Sequence, residues 1–436
     1  MKKIFFVITV MLTNAIYPQS VDSLINIAFE NNPLLKSFKA KIEAIQNRSE
    51  SVSQLPPPTL GVEFNQVPIK SANVWDDAES NSLSLSQMFM LGGKLGAMRE
   101  AELKGIGVEK ANLKTAAIDI VGQIKMNYYN LWMIERKIEI QKKTNDLLKQ
   151  LINNLNVQLS TNRVSQADIL SLTSEIYTNE TQILNLQNEK TKYINTINRY
   201  LGVRLDTIQT VSELNNNISA DEKELEKVLV DENPELNKMN AMVEMNKSMI
   251  TANRKELVPD LMIQGMIMRM PLGMPLTTKT DLTMLTMGMG EPAKTEYMYS
   301  IMASITLPFA PWSSNKYKFK EEELLSSIKG IEYEKEDMQN NMISELKNNV
   351  LKLNNAKNLL NLYSNDVIPS YEKSLNAQII SYQTNRTNLT SVIDAFRMLL
   401  MQNMNYYMAQ ADIQMAAAEI EMMVGSSVLN KNFDKE

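Results

Sequence analysis

Residues 123–201 contain neither Gly nor Pro. Within that stretch apolar residues recur at Ile124, Tyr128, Leu131, Ile134 and Ile138, then at Leu148, Leu151, Leu155 and Leu159. Steps of three and four residues draw a stripe along one side of a helix, close to a coiled-coil seam. After Asn162-Arg163-Val164-Ser165 the stripe resumes through Ile169, Leu172, Ile176, Ile183, Ile194, Ile197 and Leu201. The pattern predicts a long helix, a tight tip at 161–165 and a long returning helix. An arm from about residue 96 to 160 spans roughly 100 Å at 1.5 Å per residue. A globular domain rarely needs such an element.

The second half of the chain repeats the first. Asn32-Pro33 returns as Asn233-Pro234, Pro58 as Pro259 and Leu60 as Leu261, each at an offset of 201. Downstream the offset is 220: Phe89 returns as Phe309, and Leu155-Asn156-Val157-Gln158 as Leu375-Asn376-Ala377-Gln378. Asn162-Arg163 returns as Asn385-Arg386, offset 223. Several matches in order, at stable offsets, mark two copies of one unit. The second copy carries roughly 19 extra residues between Pro259 and Phe309.

Each copy also holds two short alternating segments. Leu60, Val62 and Phe64 alternate with Gly61, Glu63 and Asn65. Leu83, Leu85 and Phe89 alternate with Ser84 and Ser86, although Gln87 interrupts the apolar face. In the second copy Leu261, Ile263 and Ile267 share a face. Tyr297, Tyr299, Ile301, Ala303, Ile305 and Leu307 share another, opposite Ser300, Ser304 and Thr306. Period-two patterning suits half-buried strands, and equally barrel strands with lipid outside and water inside. The repeat offset sets Met262 and Met266 opposite Gly61 and Asn65, and Met298 and Met302 share a face with Ser300 and Ser304. This puts several methionines on the water side. The third strand is apolar on both faces, so its own orientation stays open.

Composition narrows the function classes. The chain has no Cys and no His, which excludes disulfides, thiolate sites and imidazole chemistry. It has 45 basic and 50 acidic residues, net charge −5, and gives no reason to expect nucleic acid as a partner. No phosphate-binding Gly-rich loop or paired catalytic acids stand out, so the reading is not an enzyme and no cofactor is expected. Lys2-Lys3, the apolar run Ile4–Leu12 and Tyr17-Pro18-Gln19-Ser20 read as a signal peptide over residues 1–20. No later stretch reaches about 18 uninterrupted apolar residues. A membrane crossing would therefore be a β-barrel. Four strands cannot close around a lumen, since the smallest outer-membrane barrels have about eight. Three copies would supply twelve.

This layout resembles the TolC-like outer-membrane efflux factor family over about residues 22–424. The resemblance rests on Asn32-Pro33-Leu34-Leu35, Leu55-Pro56-Pro57-Pro58-Thr59-Leu60-Gly61-Val62 and Gln87-Met88-Phe89-Met90-Leu91-Gly92-Gly93-Lys94. Asn233-Pro234-Glu235-Leu236, Val258-Pro259-Asp260-Leu261 and Ile305-Thr306-Leu307-Pro308-Phe309 repeat those motifs. The resemblance implies a mainly α fold with a β-barrel part. Long helical hairpins would form a periplasmic tunnel, and four strands per chain would enter a twelve-stranded transmembrane barrel of a homotrimer. It also implies the bacterial outer membrane with its lipid, a periplasmic adaptor and an inner-membrane efflux pump.

The expected layout is a first repeat over 21–202, an inter-repeat equatorial segment over 203–230, a second repeat over 231–424 and a C-terminal tail over 425–436. The interstrand segments 66–81 and about 270–296 would be extracellular. The resemblance makes Arg163-Val164-Ser165 an adaptor-docking tip, with Asn385 and Arg386 at the second tip. A plain solvated turn is the alternative there. It also makes Asp394 a periplasmic gate residue, with Ser391 where a second acid often stands. Three Asp394 carboxylates would form an electronegative constriction, while the alternative is a capping or tip-solvating Asp. Asp168 is a similar case.

Methionine is the compositional excess, with 30 in the chain. Residues 262–302 hold Met262, Met266, Met268, Met270, Met274, Met284, Met287, Met289, Met298 and Met302. Thioether sulfur is soft and suits Cu(I) or Ag(I) over hard cations. A transient metal path through Met262, Met266, Met268, Met284, Met287, Met289, Met298 and Met302 is one reading. Adaptable apolar filling is the other. Met398, Met401, Met404 and Met408 have helical spacing and are expected to pack between helices. The leading function is thus a passive efflux exit duct, with copper or silver among the candidate cargoes. A drug, small-molecule or type I secretion duct, or an exported structural coiled-coil protein, are the alternatives.

Overall fold

A computed structural model describes residues 20–159, 165–271, 294–384 and 386–425. Along the first half run α1 (Val21–Asn31), α2 (Pro33–Val52), β1 (Thr59–Asn65), a short α3 (Val74–Asp77), β2 (Ser80–Met90), α4 (Lys94–Leu159) and α5 (Gln166–Leu201). The second half has α6 (Glu222–Glu232), α7 (Pro234–Lys255), β3 (Asp260–Met270), β4 (Glu296–Ile305), α8 (Pro311–Leu362), α9 (Ile368–Gln383) and α10 (Leu389–Val424). A π-helical stretch, Tyr363–Val367, joins α8 to α9. It immediately precedes Ile368-Pro369, where the missing proline N–H would break an ordinary α ladder.

The chain divides into two compact units, each drawing on both halves of the sequence. One comprises Met1–Ala40, Lys110–Lys238 and Lys335–Glu436; the other comprises Lys41–Glu109 and Met239–Glu334. In the first unit the expected stripe forms the core: Ile124, Tyr128, Leu131 and Ile134 are buried. Leu148, Leu155, Leu172 and Ile176 cluster with Leu375, Val392, Ile393 and Phe396, joining α4 and α5 to α9 and α10. Leu155 and Leu375, matched across the repeat, meet in this one cluster. A second cluster packs Leu229 and Leu236 against Leu346, Leu353, Ile413 and Ile420.

The repeated Asn-Pro pairs acquire a mechanical meaning here. Asn32 Oδ1 accepts from the backbone N–H of Leu34 (2.8 Å) and Leu35 (3.3 Å), while its Nδ2 donates to Tyr200 O at 2.6 Å. Asn233 does the same: Oδ1 accepts from Glu235 N–H (2.8 Å) and Leu236 N–H (3.2 Å), and Nδ2 donates to Met423 O at 2.7 Å. One side chain therefore caps the helix that follows and holds the end of a helix that returns. Each returning helix stops at a left-handed glycine two residues later. Gly202 has φ 71° and Gly425 φ 73°. A Cβ on Gly202 would lie 2.7 Å from Asn31 O, so both the conformation and the close approach require glycine.

In the second unit β1, β2, β3 and β4 pair in that order, all antiparallel. Among the described residues, β1 and β4 are open edges. Ile250 of α7 packs on Leu324 and Ile328 of α8. At the junction of sheet and helix, Lys94 is 2% exposed, and its ammonium lies 2.8 Å from the Asp260 carboxylate and 3.7 Å from that of Glu256. The first residue of α4 is thereby tied to the first residue of β3.

Candidate functional site: the two-faced sheet and the helical tips

Residues paired directly across an antiparallel ladder point to the same side of the sheet, so the register assigns every strand side chain to a face. On one side Leu60 pairs with Leu85, Leu85 with Gly265 and Gly265 with Ile301; Val62 pairs with Leu83, Leu83 with Ile267 and Ile267 with Tyr299. Phe89, Leu261 and Ile305 continue this aliphatic side. It is largely bare: Val62, Leu85, Ile267, Ile301 and Ile305 are exposed, Ile301 to 77%. Gln87 does sit in this apolar row opposite Ile263, but its amide donates to Pro56 O and Met88 O at 2.9 and 2.8 Å. Its polarity is absorbed by the backbone.

The other side is polar. Gly61 pairs with Ser84, Ser84 with Met266 and Met266 with Ser300; Glu63 pairs with Ser82, Ser82 with Met268 and Met268 with Met298. Every methionine in the four strands lies on this serine side: Met88 and Met90 of β2, Met262, Met266, Met268 and Met270 of β3, and Met298 and Met302 of β4. The register thus settles the orientation of β3, which its sequence left open.

The bare aliphatic band is bounded by exposed aromatics. Trp75, Tyr297 and Tyr299 stand at the interstrand end, and Phe309 and Trp312 beyond the other end of β4. Trp75 is placed by α3: its ring meets Phe64 edge-on at 5.1 Å, and Arg269 donates to Trp75 O at 2.9 Å while pairing with Asp76 at 3.0 Å. The expected interstrand segment 66–81 is thus partly ordered, and its last two residues belong to β2. β2, β3 and β4, with 11, 11 and 10 residues, match the roughly 9–11 residues of a tilted membrane-crossing strand, while β1, with 7, is shorter. Aromatic girdles around an apolar band are the outward signature of such barrels. Among the described residues no helix is long and apolar enough to cross a membrane.

At the first tip Ser165 is the N-cap of α5. Its Oγ accepts from Ala167 N–H at 3.0 Å, and Asp168 Oδ2 returns the bond to Ser165 N–H at 3.3 Å, completing a capping box. Asp168 also accepts a long bond, 3.4 Å, from Tyr382 of α9. Burial, and then the nearby Asp168 charge, raise the Tyr382 phenol above its ordinary pKa. Arg163, Val164 and Asn385 lie outside the described residues, as do Met284, Met287 and Met289. Arg386 donates its backbone N–H to Ser381 O at 2.8 Å. Ser391 donates through both N–H (3.1 Å) and Oγ (2.9 Å) to Asn388, the N-cap of α10.

Asp394 is exposed and lies 3.4 Å from Arg397. Arg397 in turn makes a two-point bond to Glu175 of α5, at 3.0 and 2.6 Å. The hydrogen bonds to Glu175, the leading cause, raise the guanidinium pKa further. Sequence reasoning missed Glu175 and Arg397, because an ion pair 222 positions apart leaves no local pattern. Met404 is half-buried on α10, and Met398, Met401 and Met408, expected with it to pack between helices, are exposed in the single chain. With Asp394 they form one stripe at steps of four, three and seven. Among the described residues no group of three or more acids could hold a metal ion.

No protein-family model and no curated protein matches the chain. Solved structures do. The outer-membrane channel OprN superposes with a TM-score of 0.71 at 14% identity, covering 93% of this chain and 90% of its own. CusC, from a study of folding and transmembrane channel formation, gives 0.71 at 16%, covering 95% and 96%. The open state of the Neisseria gonorrhoeae MtrE outer-membrane channel gives 0.68 at 15%, covering 93% and 89%. With its long helices, four-stranded antiparallel sheet and doubled element order, the chain has the fold of the TolC-like outer-membrane channels that its sequence resembles.

Proposed function

We propose that this protein is the outer-membrane exit duct of a tripartite efflux system. The observation that carries the reading is the two-faced sheet. Its bare aliphatic side, bounded by aromatics, suits lipid, and its serine–methionine side suits a water-filled passage. Two open edges call for further copies of the chain, and three copies supply the twelve strands of a closed barrel. The duct is passive: a periplasmic adaptor docks on the helical tips at Arg163, Val164, Ser165, Asn385 and Arg386, and an inner-membrane pump supplies the energy. Asp394, with Ser391 one turn earlier, lines the periplasmic gate. An exported structural coiled-coil protein would account for the helices but not for the two-faced strands. The cargo that the thioethers favour is copper or silver ions.

The test is fractionation of the expressing bacterium. The protein is expected in detergent-extracted outer membranes as a trimer whose mobility changes on heating. Recovery as a soluble or inner-membrane protein would sink the reading. For cargo, replacing Met284, Met287 and Met289 with Leu is expected to lower copper and silver tolerance in a strain lacking other exporters. Unchanged tolerance with normal drug efflux would remove these interstrand methionines from any metal path.

A further inference from the structure

The strand methionines are segregated by face, and this carries more than their number. On β3 the aliphatic side holds Leu261, Ile263, Gly265 and Ile267, with Arg269 at its interstrand end, while the opposite side holds methionine with Gln264 and Asp260. A residue used only as adaptable apolar filling has no reason to avoid the aliphatic side. Here it occupies only the side otherwise built from serine, glutamine and carboxylates. Two of the carboxylates, Glu63 and Glu296, stand at the interstrand end, and Asp260 at the other, where it pairs with Lys94. Glu296 pairs directly with Met270, and Glu63 shares a row with Met268 through Ser82.

The spacing allows thioethers to converge. Met268 and Met298 are a direct cross-strand pair, which sets their Cβ atoms about 4.5–5.5 Å apart. Met266 and Met270 flank Met268 on the same side, each about 6.6–6.8 Å away along the strand. All four side chains are long, unbranched and half-buried rather than sealed in a core. With no thiol or imidazole in the chain, thioether sulfur is its only soft side-chain donor.

We propose that the serine–methionine side of the sheet is a binding track for soft monovalent cations, Cu(I) or Ag(I). Its densest station is the Met268–Met298 pair with Met266 and Met270. This deepens the duct reading and rests on it, since the track works only if that side meets water. The carboxylates of Glu63 and Glu296 attract the cation, and the thioethers hold it without releasing a proton. Binding is therefore insensitive to pH near neutrality, unlike a thiolate or imidazole site. Neutral, repeated and individually weak donors let an ion pass from one station to the next, as conduction requires.

The test uses the full-length protein in detergent, titrated with silver nitrate in chloride-free buffer by calorimetry. Saturable binding is expected, weakened at least about tenfold in the combined Met266→Leu, Met268→Leu and Met298→Leu variant. Met423→Leu is the control, because that sulfur already accepts from Asn349 Nδ2 at 3.2 Å; its binding should match the parent. These exchanges nearly conserve volume, so heat-modifiable trimers should persist. Equal silver binding by the triple variant and the parent overturns the proposal. A second measurement separates the track from the duct. Hydrogen peroxide should oxidise Met268 and Met298 in intact trimers, and silver should protect them. If both resist oxidation without silver, that side is not water-lined, and the duct reading itself falls.

Discussion

Asp412 lies within α10, where burial raises its carboxyl above the ordinary carboxylate range and Lys137 only partly offsets the effect. A carboxyl whose pKa is higher folded than unfolded favours the fold while protonated. That contribution is complete below the unfolded pKa and is lost as pH rises through the folded one. Asp412→Asn is therefore expected to melt above the parent at about pH 7 and to lose that advantage near pH 4. Thermal midpoints at the two pH values check it; an advantage equal at both would remove the burial account. At this scale the apolar core was legible, because Ile124, Tyr128, Leu131 and Ile134 announce themselves by spacing. Buried polar residues were not. Lys94, Glu175 and Gln141 are buried against partners far along the chain, and no local pattern encodes such a meeting.

The first long helix was legible almost to its ends, and the four strands as alternating segments. The stripe that predicts an arm from about 96 to 160 becomes α4 over Lys94–Leu159, and Gly96, Gly105, Gly107 and Gly122 do not interrupt it, because the packed apolar stripe outweighs their weak helix propensity. Alternation gave the strands but not which side of β3 faces which neighbour, since Leu, Ile and Met weigh alike in a periodicity argument; pairing decides that. The Asn-Pro motifs were visible as a repeat, while their second hydrogen bond was not. Asn32→Ala and Asn233→Ala each lose a cap, about 0.5–2 kcal/mol, and a bond to a returning helix, about 1 kcal/mol. Urea unfolding is expected to show losses of about 1–3 kcal/mol, similar at the two sites. A loss confined to one site would deny them equivalent roles.

For the whole molecule, adjacent residues of β4 offer the sharpest contrast. Ile301 is on the aliphatic side opposite Gly265, and Ser300 on the serine side opposite Met266. In a lipid-embedded barrel Ile301→Lys should cost about 2–4 kcal/mol near mid-membrane, whereas Ser300→Lys should be tolerated. Trimer yield in outer membranes reads the difference, and equal yields would remove lipid from the aliphatic side. The doubled element order was legible from two offsets, but the compact units were not, because each gathers segments from both halves. The open edges of β1 and β4 also bear on how the protein comes to exist. In the proposed oligomer, until those edges meet sister strands, a protomer offers unpaired backbone beside bare aliphatic surface, and any strand-rich chain is a competing partner. Assembly is then a race in time. Productive closure and off-path pairing both accelerate as protomers accumulate, so the tempo of synthesis, more than the strength of the finished fold, sets the yield.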